Sequence, residues 1–321
     1  MSHTTGVYIG KTLAQYHFGE QHPFGPLRHD AFVAAFYQQA LEQQTTLLKP
    51  VQGSDAQVLR FHTPAYLSRV KQLSRLGQGY LDQCDTPAFP GIYEAALSVV
   101  GTTLDGLRRI MLGQFRHVFS PIAGLHHARR DSAAGFCVFN DCGIAIETLR
   151  AEYQLRRVAY VDIDAHHGDG VFYSFADDPD LCIVDIHEDG RHLYPGTGAA
   201  HETGIGVARG SKLNIPMPMA ATDEEFFNAW RDAEQFIDRA EPEFILFQCG
   251  ADSLAGDPIT HLRYSQAAHE HATRRLCMLA EKYAQGRILV MGGGGYNVAN
   301  LAAAWSAVVS VLAAYPSMDG E

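Results

Sequence analysis

The chain has 321 residues, of which 46% are hydrophobic, and a formal net charge of −11. That length and apolar content suit one large globular domain. The acidic balance argues against a nucleic-acid-binding face; it suits a cationic partner such as a lysine-rich peptide or a polyamine, but solubility alone is the commoner reason for such a surface. The opening MSHTTGVYIGKTLAQYH has no basic segment followed by an apolar core, so no secretory leader is expected. The longest nearly apolar run, 301–316, is shorter than the roughly 18 to 20 residues of a membrane span and reads as a core helix. The expectation is a cytoplasmic protein without membrane contact.

In chain order, helical patterns cover 29–48, 64–75 and 91–113. A weak strand candidate, RHVFSPIAG (116–124), and a helix at 141–154 follow. Strands and helices then alternate. RRVAYVDID (156–164), DLCIVDIH (180–187), EFILFQCGAD (243–252) and GRILVMGGG (286–294) read as strands, with helices at 223–240, 265–284 and 298–314. Each strand is a short run of branched or aromatic residues without polar alternation, the pattern of a strand covered on both faces. The alternation predicts an α/β fold: three α/β/α layers around a mostly parallel central sheet. No Pro/Gly/Ser-rich linker divides the chain, so residues 1–321 are read as a single domain. Cys84, Cys137, Cys142, Cys182, Cys249 and Cys277 form no CxxC pair and predict reduced, mostly buried thiols.

The polar groups fall at strand ends. Asp162, Asp164 and His166 end one strand, Asp185 and His187 the next, and Asp252 the third; the GGGGYN turn (292–297) ends the fourth. Open α/β sheets bind ligands outside the carboxyl ends of their strands. VAYVDIDAHHGDG (158–170) is the densest stretch. It holds Asp162, Asp164, His166, His167 and Asp169, and no Lys or Arg lies between Arg157 and Arg191. Helix capping or salt bridging accounts for one strand-end carboxylate but poorly for such a cluster, which repels itself unless a cation neutralises it. Asp164 and His166, two apart, share one face of an extended backbone, and Asp252 supplies a third ligand from a neighbouring strand. Carboxylate with imidazole suits Zn²⁺ or Fe²⁺, and three protein ligands leave open positions, as in a catalytic site.

In SPIAGLHHARRDSAAGFCVFND (120–141), His126 and His127 are adjacent. Imidazole suits proton transfer near neutral pH, and a carboxylate behind each ring would fix its tautomer. Asp162 and Asp169 are available for that. Tyr296 in the glycine turn can donate to a developing oxyanion. A dinucleotide site in GGGGYN is a weak reading, because the six-residue spacing and the following βαβ unit are missing.

GLHHARRDSAAGFCVFND, YVDIDAHHGDGV, QCGADSLAGDP and GGGGYN, in this order, closely resemble the zinc-dependent histone deacetylase family, which includes the bacterial acetoin-utilisation and acetylpolyamine amidohydrolase branches. The resemblance covers nearly the whole chain; HPFGPLRH (22–29) and FHTPAYLSRV (61–70) are similar to the family's N-terminal part. It implies that Asp164, His166 and Asp252 bind zinc. It implies that His127, backed by Asp169, is general base and acid, that His126, backed by Asp162, acts electrostatically, and that Tyr296 polarises the scissile carbonyl. Gly135 and Phe136 match one wall of an acyl-lysine tunnel. Tyr194 stands where the facing wall is often Phe, and Ile259 where the rim often has Leu or Met. Asp85 aligns with a rim aspartate that holds the substrate backbone, and Arg28 with an arginine near an internal acetate channel. The family often binds potassium as well. Asp162, Asp164 and His166 match its inner site, where Asp185 replaces a common serine. Phe175, Asp178 and Leu181 fall at the second site, whose ligands are largely backbone carbonyls.

The implied activity is zinc-dependent removal of acetyl or other short acyl groups from lysine Nε in proteins or peptides. The alternative within the family is hydrolysis of acetylpolyamines. No long insertion narrows the N-terminal or rim loops, which favours protein or peptide substrates. Two remoter readings are an arginase-like ureohydrolase, which needs a second metal and more aspartates than Asp252 and Asp257, and a silent acyl-amine-binding protein, in which a lost ligand would be expected. His167 faces the other way from His166 and reads as structural support. No feature specifies an oligomeric state.

Overall fold

The chain's apolar runs assemble into one parallel sheet in the computed structural model, which describes residues 4–83 and 85–315. Cys84 and Pro316 lie outside the described residues. Among these the strands are β1 (Thr5–Tyr8), β2 (Thr46–Leu48), β3 (His117–Ser120), β4 (Val158–Asp162), β5 (Leu181–Glu188), β6 (Lys212–Met217), β7 (Phe244–Gln248) and β8 (Ile288–Met291). Their order is β2-β1-β3-β8-β7-β4-β5-β6, and every pairing is parallel. All carboxyl ends therefore open on one rim.

The helices are α1 (Lys11–Ala14), α2 (Leu27–Gln38), α3 (Asp55–Val58), α4 (Pro64–Leu76), α5 (Ile92–Met111), α6 (Asp141–Tyr153), α7 (Asp169–Ser174), α8 (Asp223–Ala240), α9 (Gln266–Tyr283) and α10 (Val298–Ala314). α2, α10, α9 and α8 pack successively as one layer, while α5 packs with α6, α3 and α4 as the other. β4, β7 and β8 are wholly buried between them. Local signals set the helix starts. Thr63 caps α4 with Pro64 in its first turn, and Thr222 with Glu225 forms a capping box on α8.

Three strands escape the sequence pattern. β1 is only TGVY. β2 lies inside the predicted helix 29–48, but α2 stops at Gln38, Ala40 takes a left-handed φ of 53°, and the chain turns out to pair with β1. β6 carries Lys212 and Pro216, residues that read poorly as strand and are tolerated here because β6 is an edge. The five described cysteines are buried free thiols. Among the described residues no helix is long and apolar enough to cross a membrane.

Candidate active site

Asp164 and His166 follow the end of β4, and Asp252 follows the end of β7, the strand paired with β4. Their ligand atoms all lie within 4.8 Å of one another, and all three side chains are buried. His166 Nδ1 is 3.1 Å from both Asp164 Oδ1 and Asp252 Oδ2. The other carboxylate oxygens are used by the fold. Gln248 Nε2 and the Gly294 N–H donate to Asp164 Oδ2 at 2.9 and 2.8 Å, and the Ala165 N–H donates to Asp252 Oδ1 at 2.8 Å. Asp252 is thus oriented by one oxygen and presents the other, while Asp164 is oriented by Oδ2 and also accepts the His166 N–H at Oδ1 (3.0 Å). Burial opposes charge on His166, but the two carboxylates override it and hold the imidazole up at about 10. Burial and the charge of Asp164 raise Asp252 to about 7. His166 Nδ1 faces both carboxylates, and a divalent cation fits there by displacing its proton.

The glycine turn closes against this group. A Cβ on Gly294 would lie 2.1 Å from Asp252 Oδ2 and 2.8 Å from Asp164 Oδ2. The turn is therefore packed against side chains rather than arranged around a phosphate. Gly294→Ala is expected to cost about 1–3 kcal/mol through overpacking, read as a lower melting temperature, and to reduce bound metal in elemental analysis.

The two histidines arrive on the loop after β3. That loop is pinned at both ends of the pair. The buried Asp141 carboxylate accepts the N–H groups of Gly124 (3.1 Å) and Leu125 (2.8 Å). Asn140 caps α6 and donates from Nδ2 to the Ala128 carbonyl at 2.8 Å. His126 Nδ1 lies 2.8 Å from Asp162 Oδ2, which also accepts the Tyr160 hydroxyl at 2.6 Å. His127 Nδ1 lies 2.8 Å from Asp169 Oδ1, at the first turn of α7, and the two Nε2 atoms are 3.1 Å apart. Arg129 donates to Asp169 Oδ2 at 3.0 Å, so the acidic stretch does have a basic partner, supplied from the histidine loop.

The rings are electrically unlike. Burial opposes charge on both. For His126, Asp162 and Asp164 override burial and hold the ring up at about 10. For His127, burial is reinforced by the charge of His126, and its pKa falls to about 4 despite Asp169. His126 is therefore the ring that favours the proton, and His127 the ring that resists it, with its Nδ1 turned to a carboxylate.

Three loops border the histidine pair. A Cβ on Gly135 (φ 53°) would come within 2.4 Å of His127 Cδ2, so only glycine lets the backbone lie against that ring. Phe136 follows, its ring 5.7 Å from Tyr296 and nearly perpendicular to it. Tyr194, 44% exposed, stands edge-on to His127 at 5.2 Å. Asp85 borders a cleft of about 640 Å³ shared with Asp82, Arg129, Asp169 and Tyr194. Burial and the neighbouring Asp82 raise it to about 7. The adjacent Thr86 hydroxyl accepts the Phe136 N–H at 3.1 Å and ties this rim to the wall. Ile259 is half-buried and is linked to the site through Asp257, whose carboxylate accepts the N–H groups of Ile259 (3.1 Å) and Tyr296 (2.8 Å). Arg28 is buried beneath the turn, donating to the carbonyls of Gly295 and Gly293 at 2.8 and 2.6 Å.

His167 turns away from this group. Its Nδ1 meets Thr197 Oγ1 at 2.8 Å, and its ring packs 4.8 Å from His187. His187 in turn bonds Asp185 Oδ1 (2.6 Å) and the Gly198 carbonyl (2.9 Å). These two histidines hold the loop that carries Tyr194. Gln248, Tyr160, Arg129, Asn140 and Asp141 were not singled out from sequence. Gln248 and Tyr160 had a signal, a polar atom inside an otherwise apolar strand.

The eight-stranded all-parallel sheet, in the order β2-β1-β3-β8-β7-β4-β5-β6 with helices on both faces, is of the arginase/deacetylase-like α/β class. Residues 22–312 match the family model of the histone deacetylase domain, and the chain belongs to the histone deacetylase family, a family of deacetylases. It is 37% identical to the acetoin utilization protein AcuC of Bacillus subtilis (strain 168) over 297 residues, which cover 88% of this chain and 75% of that one. Its identity to AcuC of Staphylococcus aureus (strain MRSA252) is 31%, spanning 100% of this chain and 84% of the relative. The crystal structure of the HDA15 HD domain superposes with a TM-score of 0.89 at 25% identity, covering 97% of this chain and 90% of that one.

Proposed function

We propose that residues 1–321 form one catalytic domain that hydrolyses the amide of Nε-acetyl-lysine, or of another short acyl-lysine, in proteins or peptides. Asp164, His166 and Asp252 would hold Zn²⁺; Fe²⁺ suits the same donors. The observation that carries the reading is the pair of carboxylate-backed histidines, His126 on Asp162 and His127 on Asp169, beside a buried Asp–His–Asp group. When bound, the metal supplies a Lewis acid for amide hydrolysis. Neutral His127, oriented by Asp169, takes the proton from the attacking water and returns it to the leaving amine. Cationic His126 keeps His127 neutral and stabilises negative charge developing on the carbonyl oxygen. Tyr296 donates its hydroxyl to that oxygen. Phe136 and Tyr194 exclude water around the aliphatic stem of lysine, and Asp85 accepts from the peptide backbone at the rim.

Tyr296→Phe is expected to lower kcat by about 10²- to 10³-fold, the worth of one oxyanion donor, with an unchanged melting temperature; full retained turnover would remove Tyr296 from the mechanism. The 640 Å³ cleft beside the entrance favours a peptide over a free polyamine. Side-by-side turnover of acetyl-lysine peptide, acetylputrescine and longer acyl-lysine peptides tests this. Acetylputrescine outpacing the acetyl-lysine peptide would sink the lysine reading. A two-metal ureohydrolase is disfavoured because the Asp257 oxygens are taken by backbone N–H groups. Buried free thiols support a reducing, cytoplasmic setting.

A further inference from the structure

Lys212 begins the edge strand β6, yet it is only 1% exposed. A buried ammonium is costly unless its protons are accepted. Here Nζ donates to the backbone carbonyls of Asp178 (2.7 Å) and Leu181 (2.6 Å) and lies 2.9 Å from Ser211 Oγ. Burial lowers its pKa to about 8, which leaves it protonated at neutral pH. The Asp178 carboxylate is engaged by Arg150 at 2.8 Å, so the partners of the ammonium are neutral oxygens. Asp177 and the buried Cys182 thiol are the other ionisable groups facing it. Neutral carbonyl oxygens converging on one positive charge are the surroundings of a bound monovalent cation. The family resemblance puts a second monovalent ion against the carbonyls of Phe175, Asp178 and Leu181; two of those three are the acceptors of Lys212.

We infer that the Lys212 ammonium occupies the second monovalent-cation site of this chain, which therefore binds no potassium there. This rests on family membership and not on the proposed substrate. The built-in cation clamps the turn between α7 and β5 onto β6. α7 begins with Asp169, the carboxylate behind His127, so the clamp steadies the support of that imidazole without depending on the ionic medium.

The test counts bound ions and does not read deacetylation. Equilibrium dialysis with rubidium, as a potassium surrogate, is run on the wild-type chain and on Lys212→Ala. The alanine variant should bind one more Rb⁺ per chain than the wild type. Exchanging tetramethylammonium for potassium at constant ionic strength should raise its melting temperature by more than that of the wild type. Lys212→Met, which fills the space with an apolar chain, should be destabilised in both salts and take up no extra ion. Equal Rb⁺ counts in wild type and Lys212→Ala would overturn the inference. Should the alanine variant fold only in potassium, that itself supports it. Should it fold in neither salt, thallium-soaked crystals of the wild type decide. No anomalous peak is expected among the Asp178 and Leu181 carbonyls, and a peak there would overturn the assignment.

Discussion

His127→Ala is expected to lose about 10²- to 10⁴-fold in kcat, the usual worth of a positioned acid–base group, while melting near the temperature of the parent. The two imidazoles lie side by side, but their surroundings make only one of them a base at neutral pH. His126 sits among Asp162, Asp164 and Tyr160, and the two carboxylates raise its pKa against burial. His127 is depressed to about 4, first by burial and then by the charge of His126. The pH dependence follows with a definite sign. A base must be deprotonated to act, so a depressed pKa keeps the acid limb of kcat/KM low and activity persists into mildly acidic buffer. His126→Ala removes the neighbouring charge, raises the pKa of His127 and should move that acid limb toward neutrality. An acid limb that stays in place in His126→Ala would show that the two rings are not coupled in this way.

Asp252→Ala is expected to leave the chain with well under one divalent ion and to lower turnover at least as far. Loss of a partner that merely orients a ligand costs 10- to 100-fold in affinity, and Asp252 presents its own oxygen, so at least about 10²-fold is expected here. The same site predicts proton release on metal binding. His166 shares its proton between Asp164 and Asp252, and the imidazole must give it up to accept a metal. With His166 at about 10 and Asp252 at about 7 in the metal-free protein, affinity should rise with pH across that interval and fall on acidification. Calorimetric titration with zinc in two buffers of different ionisation enthalpy measures the protons released. A heat independent of buffer would mean that the site binds no proton that the metal must displace.

Much of this was determined by the sequence. The runs at 156–164, 180–187, 243–252 and 286–294 declare themselves as doubly covered strands, because a buried parallel strand has no reason to alternate polar and apolar residues, and β4, β5, β7 and β8 form there. Their parallel pairing then places whatever follows each strand on one rim. Asp164 with His166, and Asp252 after the next strand over, come together for that reason. The contributions of single residues were decided only by the tertiary structure. His126 and His127 are chemically identical neighbours, and nothing local distinguishes them. The difference comes from Asp162 on β4 and Asp169 on α7, more than thirty residues away along the chain. Asp257 reads as a spare carboxylate until its oxygens are seen to accept backbone N–H groups. Lys212 lies in no element read from the sequence, and only the fold sets three oxygens around its ammonium. Hydrophobic periodicity is written along the chain, whereas the charge state and duty of a buried polar group depend on partners that only folding brings within 3 Å.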